Sequence, residues 1–380
     1  MKSIPGRFLY QITFMILVTI GSTAAELDRS IPGQVRWKIS EWPADGRIAR
    51  PEGIGNISAA YIGQGFVRKA LIVEFNKDAT VVTLHVPKKA PKNPTLFLEL
   101  AEKTTQHPDG RIVLSALDSR VVGKKAQLET HPGNHRIGFW ANANDYMQWD
   151  YKASRWGMYD VELTYSTASP SGTEAVIEIG DKKLPVTLKS TGSWYRYTTI
   201  PVGRVYLSKA GKHTVNVKCT RKVGGAVMNL KAVTLRPAPE GNPIIVQSED
   251  SIILNSKDST VHGVMARYEP DPKKLCIGFW ANPGDWASWD FEVKKAGTYN
   301  VQVHQGCGKD HGGSEVNVHV GGKTLGFTVK DTGHFQNFIP RDLGTVSFKE
   351  TGRQRLEIRP VKKAGGAVMD IRQILLLPVE

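Results

Sequence analysis

Two stretches of the chain set aromatic rings beside amides and carboxylates. One is Trp140-Ala-Asn142-Ala-Asn144-Asp145-Tyr146 and the other is Trp280-Ala-Asn282-Pro-Gly-Asp285-Trp286. An aromatic face can take the apolar C–H face of a cyclic polyol, while an amide or carboxylate makes paired hydrogen bonds to its hydroxyl edge. Thr191-Gly192-Ser-Trp194-Tyr195 and Thr332-Gly333-His334-Phe335-Gln336 offer a further aromatic in each case. These residue types suit recognition of a sugar rather than bond-making. The competing structural reading puts Trp140 and Trp280 in a core and uses Asn and Asp as turn caps. Trp149 and Trp289 alternate into strands and read as core.

These stretches belong to a duplication. Ile137-Gly-Phe-Trp-Ala-Asn142 returns as Ile277-Gly-Phe-Trp-Ala-Asn282, each followed by Trp-Asp and later by Gly-x-Tyr. Both copies close on Gly-Gly-Ala-Val-Met, at Gly224–Met228 and Gly365–Met369. The period is far longer than the roughly 20–50 residues of a solenoid unit, so each copy is an independent domain.

Short alternating runs broken by Gly, Asp-Lys or Pro dominate. Glu174–Ile179 turns at Gly180-Asp-Lys into Leu184–Leu188, and Glu315–Val320 turns at Gly321-Gly-Lys into Leu325–Val329. These are hairpins with glycine at tips that require positive φ. The pattern predicts an all-β chain of three consecutive antiparallel β-sandwich domains, the last two a tandem duplication. The expected boundaries are 1–25 (signal peptide), 26–102 (a small β-domain), 103–237 (first copy), 238–243 (a Pro-rich linker) and 244–380 (second copy).

Residues 1–25 place Lys2 and Arg7 before the apolar run Phe14–Ile20 and the small residues Ser22–Ala25. That is the layout of a secretory signal, and the run is well short of the ~20 residues of a membrane span. Export to the periplasm or the exterior is expected, with no integral membrane segment once the signal is removed. The net charge is +14, yet the basic pairs Lys88-Lys89, Lys273-Lys274 and Lys362-Lys363 sit at turns. A nucleic-acid binder would gather them on one face with aromatics between, so that class of partner is set aside. Of the three cysteines, Cys219, Cys276 and Cys307, the last two could pair. No Cys/His spacing suggests zinc. The pairs Asp145/Asp150 and Asp285/Asp290 have glycosidase residue types, but they recur beside turns and no nucleophile elbow is present. No catalytic residue is assigned.

Two resemblances refine this reading. Glu41-Trp42-Pro-Ala-Asp-Gly46, Ala59-Ala-Tyr-Ile-Gly63 and Val82-Thr-Leu-His-Val-Pro87-Lys-Lys-Ala-Pro91 resemble the C-terminal β-sandwich of bacterial α-L-fucosidases. In that family the chemistry lies in a preceding (β/α)₈ barrel of about 250 residues. No stretch here can hold one, so no fucosidase catalytic residue is carried over. The repeats resemble family 6 and family 35 carbohydrate-binding modules, which are galactose-binding-like β-sandwiches. Ser248-Glu249-Asp250, Asp285-Trp-Ala-Ser-Trp289, Ala296-Gly-Thr-Tyr299, Asp331-Thr-Gly-His-Phe335 and Val368-Met-Asp370 carry that likeness.

This resemblance implies a glycan or polysaccharide partner. It implies that the Trp194 and Phe335 loops contribute an aromatic to the cleft. It also implies a structural calcium on Glu249 and Asp370 of the second copy, with no organic cofactor. The expected ligand-binding residues are Trp140, Asn142, Asp145, Tyr146, Trp194 and Tyr195, with Trp280, Asn282, Asp285, Trp286 and Phe335 in the second copy. The expectation is a non-catalytic glycan-binding protein. The alternatives are an accessory part of a fucosidase-type hydrolase and a protein-binding adhesive module.

Overall fold

The computed structural model describes residues 26–379 apart from 29–33, 52–53, 55–56, 65–66, 76–81, 92–93, 101–104, 132–133 and 249. Residues 1–25 and Glu249 thus lie outside the described residues. The chain is all-β, relieved among the described residues only by single 3₁₀ turns at Ala116–Asp118 and Ser256–Asp258. No helix among the described residues is long and apolar enough to cross a membrane.

Each repeat is a sandwich of two sheets, antiparallel except that Ile245–Val246 pairs parallel with Trp286–Val293 in the second. In the first, one sheet runs Ser193–Leu207, Gly157–Thr167, Asn229–Pro237, Asn134–Gly138, Gln127–His131. The facing sheet runs Arg120–Val122, Tyr146–Ala153, Gly211–Arg221, Thr173–Ile179, Lys182–Leu188. The second repeat copies this order, with His334–Phe348, Gly297–Cys307, Asp370–Pro378, Cys276–Gly278 and Arg267–Glu269 in the sheet that matters below.

Alternation dictates which side chains meet between the sheets. Thr173, Ala175, Ile177 and Ile179 of one strand point inward while Glu174, Val176 and Glu178 are half-exposed, because successive side chains of a strand leave opposite faces. Trp149 and Trp289 anchor the two cores at 1% and 0% exposure. Their indole N–H groups donate to Ser115 O and Asn255 O, both at 2.7 Å. A buried Trp truncated to Ala costs roughly 3–5 kcal/mol, so these two rings account for much of each module's cohesion.

The N-terminal strands do not stand apart. Val67–Phe75 pairs with Ser193–Leu207 through Glu74↔Arg196 and Val73↔Tyr197, which makes one continuous sheet of the N-terminal region and the first repeat. Tyr61 Oη donates to Glu162 at 2.6 Å across the same junction, and Arg236 Nε reaches that carboxylate at 2.7 Å. All three cysteines are free thiols, so Cys276 and Cys307 are not bridged.

Candidate functional site

The repeated Trp-Ala-Asn-x-x-Asp segment is a latch. Trp140 and Trp280 are fully buried, and their N–H groups donate to Asp145 O and Asp285 O at 3.1 and 3.0 Å. The Asp145 carboxylate is 1% exposed and accepts from the backbone amides of Lys124, Lys125 and Ala126 at 3.1, 2.8 and 2.8 Å. Asp285 does the same with Val264, Met265 and Ala266. Asn142 and Asn282 brace these carboxylates at 2.9 and 2.7 Å. Burial alone would raise the Asp145 carboxyl, but the hydrogen bonds from Ala126, Lys125, Lys124 and Asn142 outweigh it and hold the carboxyl below its usual range. Trp140, Asn142, Asp145, Trp280, Asn282 and Asp285 therefore hold a loop in place, and none of the four Trp and Asp side chains is exposed enough to meet a ligand.

The other paired carboxylates are also committed. Asp150 accepts from Thr214 Oγ1 at 2.6 Å, and Asp290 is held by Arg355 through two bonds of 2.7 and 2.9 Å. Trp286 is closed on both faces, with His262 stacked at 3.7 Å and the Arg359 guanidinium 3.5 Å from the ring centroid. Tyr146, its counterpart, is half-buried beside Lys218 Nζ at 5.5 Å. The basic residues before the closing strands tie loops: Lys222 Nζ donates to Ala141 O, Lys363 Nζ to Ala281 O, and Arg221 pairs with Glu174.

What the latch does present is the residue before its tryptophan. With Trp140 driven inward, Phe139 is turned outward, 62% exposed, at a φ of 51°. Phe279 repeats this at 45% exposure and φ 55°. A bulky side chain in the left-handed region is rare, and such strain clusters at functional sites.

Phe139 forms one wall of a cavity of about 260 Å³ lined also by Trp194, Tyr195, Glu129, Arg136, Ala226 and Asn229. Trp194 and Tyr195 stand at the start of Ser193–Leu207, where the Trp194 carbonyl accepts from Asn229 Nδ2 at 2.8 Å and Ser166 Oγ at 2.7 Å. The floor is an ion pair, Arg136 Nε to Glu129 Oε2 at 2.5 Å, with the guanidinium 5.2 Å from the Tyr195 ring centroid. Arg136 is only 4% exposed, and its Nη1 has no hydrogen-bond partner among the described residues. A buried donor left unmet is costly, and here it belongs to a side chain lining the cavity. Three rings, a carboxylate, a guanidinium and an amide thus converge in one concavity. Trp194 and Tyr195 are expected from the sequence; Phe139, Glu129, Arg136 and Asn229 are not, and only the repetition of Phe139 as Phe279 hints at them.

In the second repeat the corresponding positions are Glu269, Cys276, Phe279, Phe335, Gln336 and Asp370. Phe335 is half-buried against His311, with centroids 5.3 Å apart. Phe279 is met edge-on by Trp156 of the first repeat at 5.4 Å, and the Arg267 guanidinium lies 3.7 and 3.6 Å from the centroids of those two rings. The donors around Asp370 are a thiol, a second carboxylate and the Gln336 amide. Glu249, the other residue of the expected calcium pair, lies outside the described residues.

Fold and site together define tandem β-sandwich modules, the first bearing an aromatic-walled cleft over a buried ion pair. The chain belongs to the family described as "Domain of unknown function (DUF5077)", which matches residues 121–239 and 274–378, more than half of its length. No curated protein matches it in sequence. Among solved structures it is similar to a Paenibacillus xanthan lyase at 15% identity and TM-score 0.32, over 92% of this chain but 33% of the lyase. A family 35 carbohydrate binding module from Clostridium thermocellum is similar at 18% identity and TM-score 0.29, over 33% of this chain and 96% of the module. A Podospora anserina GH26-CBM35 β-(1,4)-mannanase is similar at 16% identity and TM-score 0.29, over 39% of this chain and 31% of the mannanase.

Proposed function

We propose that this is an exported, non-catalytic glycan-binding protein whose first repeat holds the binding site. The observation that carries the proposal is the cavity in which Phe139, Trp194 and Tyr195 stand over Glu129, Arg136 and Asn229. Rings take the C–H face of a sugar, and adjacent carboxylate, guanidinium and amide groups match neighbouring hydroxyls as acceptor and donors. At about 260 Å³ the space is below the roughly 300–1,000 Å³ of pockets for drug-sized ligands, which suits one sugar ring or a chain end. The Glu129–Arg136 pair leaves the floor without net charge, so a neutral sugar meets no unbalanced carboxylate or guanidinium.

A glycan-array screen of the full chain, run beside a Trp194→Ala/Tyr195→Ala double variant, tests this. Binding by the parent and not by the folded variant is expected. A parent that binds no glycan would sink the reading and favour a protein-binding module, and a variant that binds equally would sink the site. Hydrolysis of a fluorogenic fucoside by the same preparation would overturn the non-catalytic reading.

A further inference from the structure

The second cleft keeps the frame of the first and changes its floor. Glu269 stands where the first repeat has Glu129, Cys276 where it has Arg136, and Asp370 where it has Asn229. The first floor carries its own cation. In the second, that guanidinium is gone, the Lys274 ammonium pairs with Glu269 instead, and a carboxylate has been added. Glu269, Cys276 and Asp370 are all buried, and one ligand atom from each lies within 4.8 Å of the other two. Cys276 Sγ is 3.5 Å from Asp370 Oδ2. Asp370 is 5% exposed; it accepts from the Gln336 amide at 3.0 Å and from this thiol, and it makes no ion pair among the described residues.

We propose that Glu269, Cys276 and Asp370 form a binding site for a thiophilic divalent cation of the zinc class. One sulfur and two carboxylate oxygens from separate strands are a donor set such an ion accepts, while calcium and magnesium avoid sulfur. Three protein ligands leave the fourth tetrahedral position to water. On binding, the Cys276 thiol gives its proton to solvent and becomes the thiolate ligand. Lys274, whose ammonium lies 2.5 Å from Glu269 Oε2 on a side chain 34% exposed, turns out to water as the ion replaces it. This site is independent of the glycan reading of the first cleft.

The test is a titration of the chelator-treated full chain with Co²⁺ and with Cd²⁺, following thiolate-to-metal charge-transfer absorption, in the near ultraviolet for Co²⁺ and deeper in the ultraviolet for Cd²⁺. One equivalent of ion with a charge-transfer band is expected. Cys276→Ser removes the band, whereas Cys219→Ser and Cys307→Ser keep it. Asp370→Asn installs the residue that the first repeat carries in the same fold, so it is the variant safest from misfolding, and it weakens binding by at least about tenfold. Zn²⁺ raises the Tm of the parent chain and raises that of Asp370→Asn less. The absence of a band, a band unchanged in Cys276→Ser, or equal zinc stabilisation of parent and Asp370→Asn would each overturn the site.

Discussion

Asp145 shows how one side chain can look like a ligand contact and serve as a scaffold. Its carboxylate collects three backbone amides and an asparagine amide while almost wholly buried. Each amide left unmet on truncation costs about 1–3 kcal/mol, so Asp145→Ala should lower stability by on the order of 3 kcal/mol or more, read in a denaturant melt. The sign of its pH dependence follows from the depressed carboxyl. A group that titrates lower when folded contributes stability that is fully present above about pH 4 and is lost as pH falls through the folded value. Tm measured from about pH 5 down to about pH 2 should therefore fall less steeply in Asp145→Asn than in the parent. At the same scale, Phe139 is the residue that the buried Trp140 turns outward, so the latch and the cleft wall are two products of one hexapeptide.

The elements are where the sequence is most legible. Two-residue alternation in Thr173–Ile179 and Glu315–Val320 shows directly in their burial, and the duplicated segments keep one strand order. The cleft floor is not legible in the same way. Glu129, Arg136 and Asn229 sit on three strands of one sheet, and only pairings such as Glu129↔Arg136 and Ile137↔Leu230 bring them together. The latch residues mislead because an amide and a carboxylate beside a tryptophan have the same residue types whether they meet a sugar or a backbone. Trp286 misleads because its stacking partners, His262 and Arg359, lie on other strands. Gly123 is the element-scale test of the latch. A Cβ there would lie 2.2 Å from the Asp145 carboxylate, and its φ is 145°. At Gly211 φ is also positive, at 119°, but a Cβ would meet nothing. Gly123→Ala should therefore cost at least about 1–3 kcal/mol more than Gly211→Ala, measured as paired denaturant melts.

At the scale of the whole molecule, the repeats are docked rather than strung on a linker. Arg155, 3% exposed, donates from the first repeat to Gly263 O at 2.9 Å and Val261 O at 2.7 Å in the second. Trp156 Nε1 adds Tyr268 O at 3.2 Å. Hydrogen bonds from a charged group are worth about 1.5–3 kcal/mol each, so Arg155→Ala should release the tandem. Small-angle scattering would then report a larger radius of gyration, and calorimetry would resolve the repeats as separate transitions. Docking also fixes the spacing of the two clefts and places Trp156 against Phe279 at the edge of the second. If the second floor takes a metal ion while the first takes a sugar, the duplication has produced two binding chemistries in one frame. The central claim rests on the first cleft. It is tested most directly by calorimetric titration of the best array glycan into the full chain and into Trp194→Ala/Tyr195→Ala. Binding at a single site in the parent, weakened by at least about tenfold (1.4 kcal/mol) in a variant of unchanged fold, is the predicted result. Equal affinity in the two proteins would contradict it.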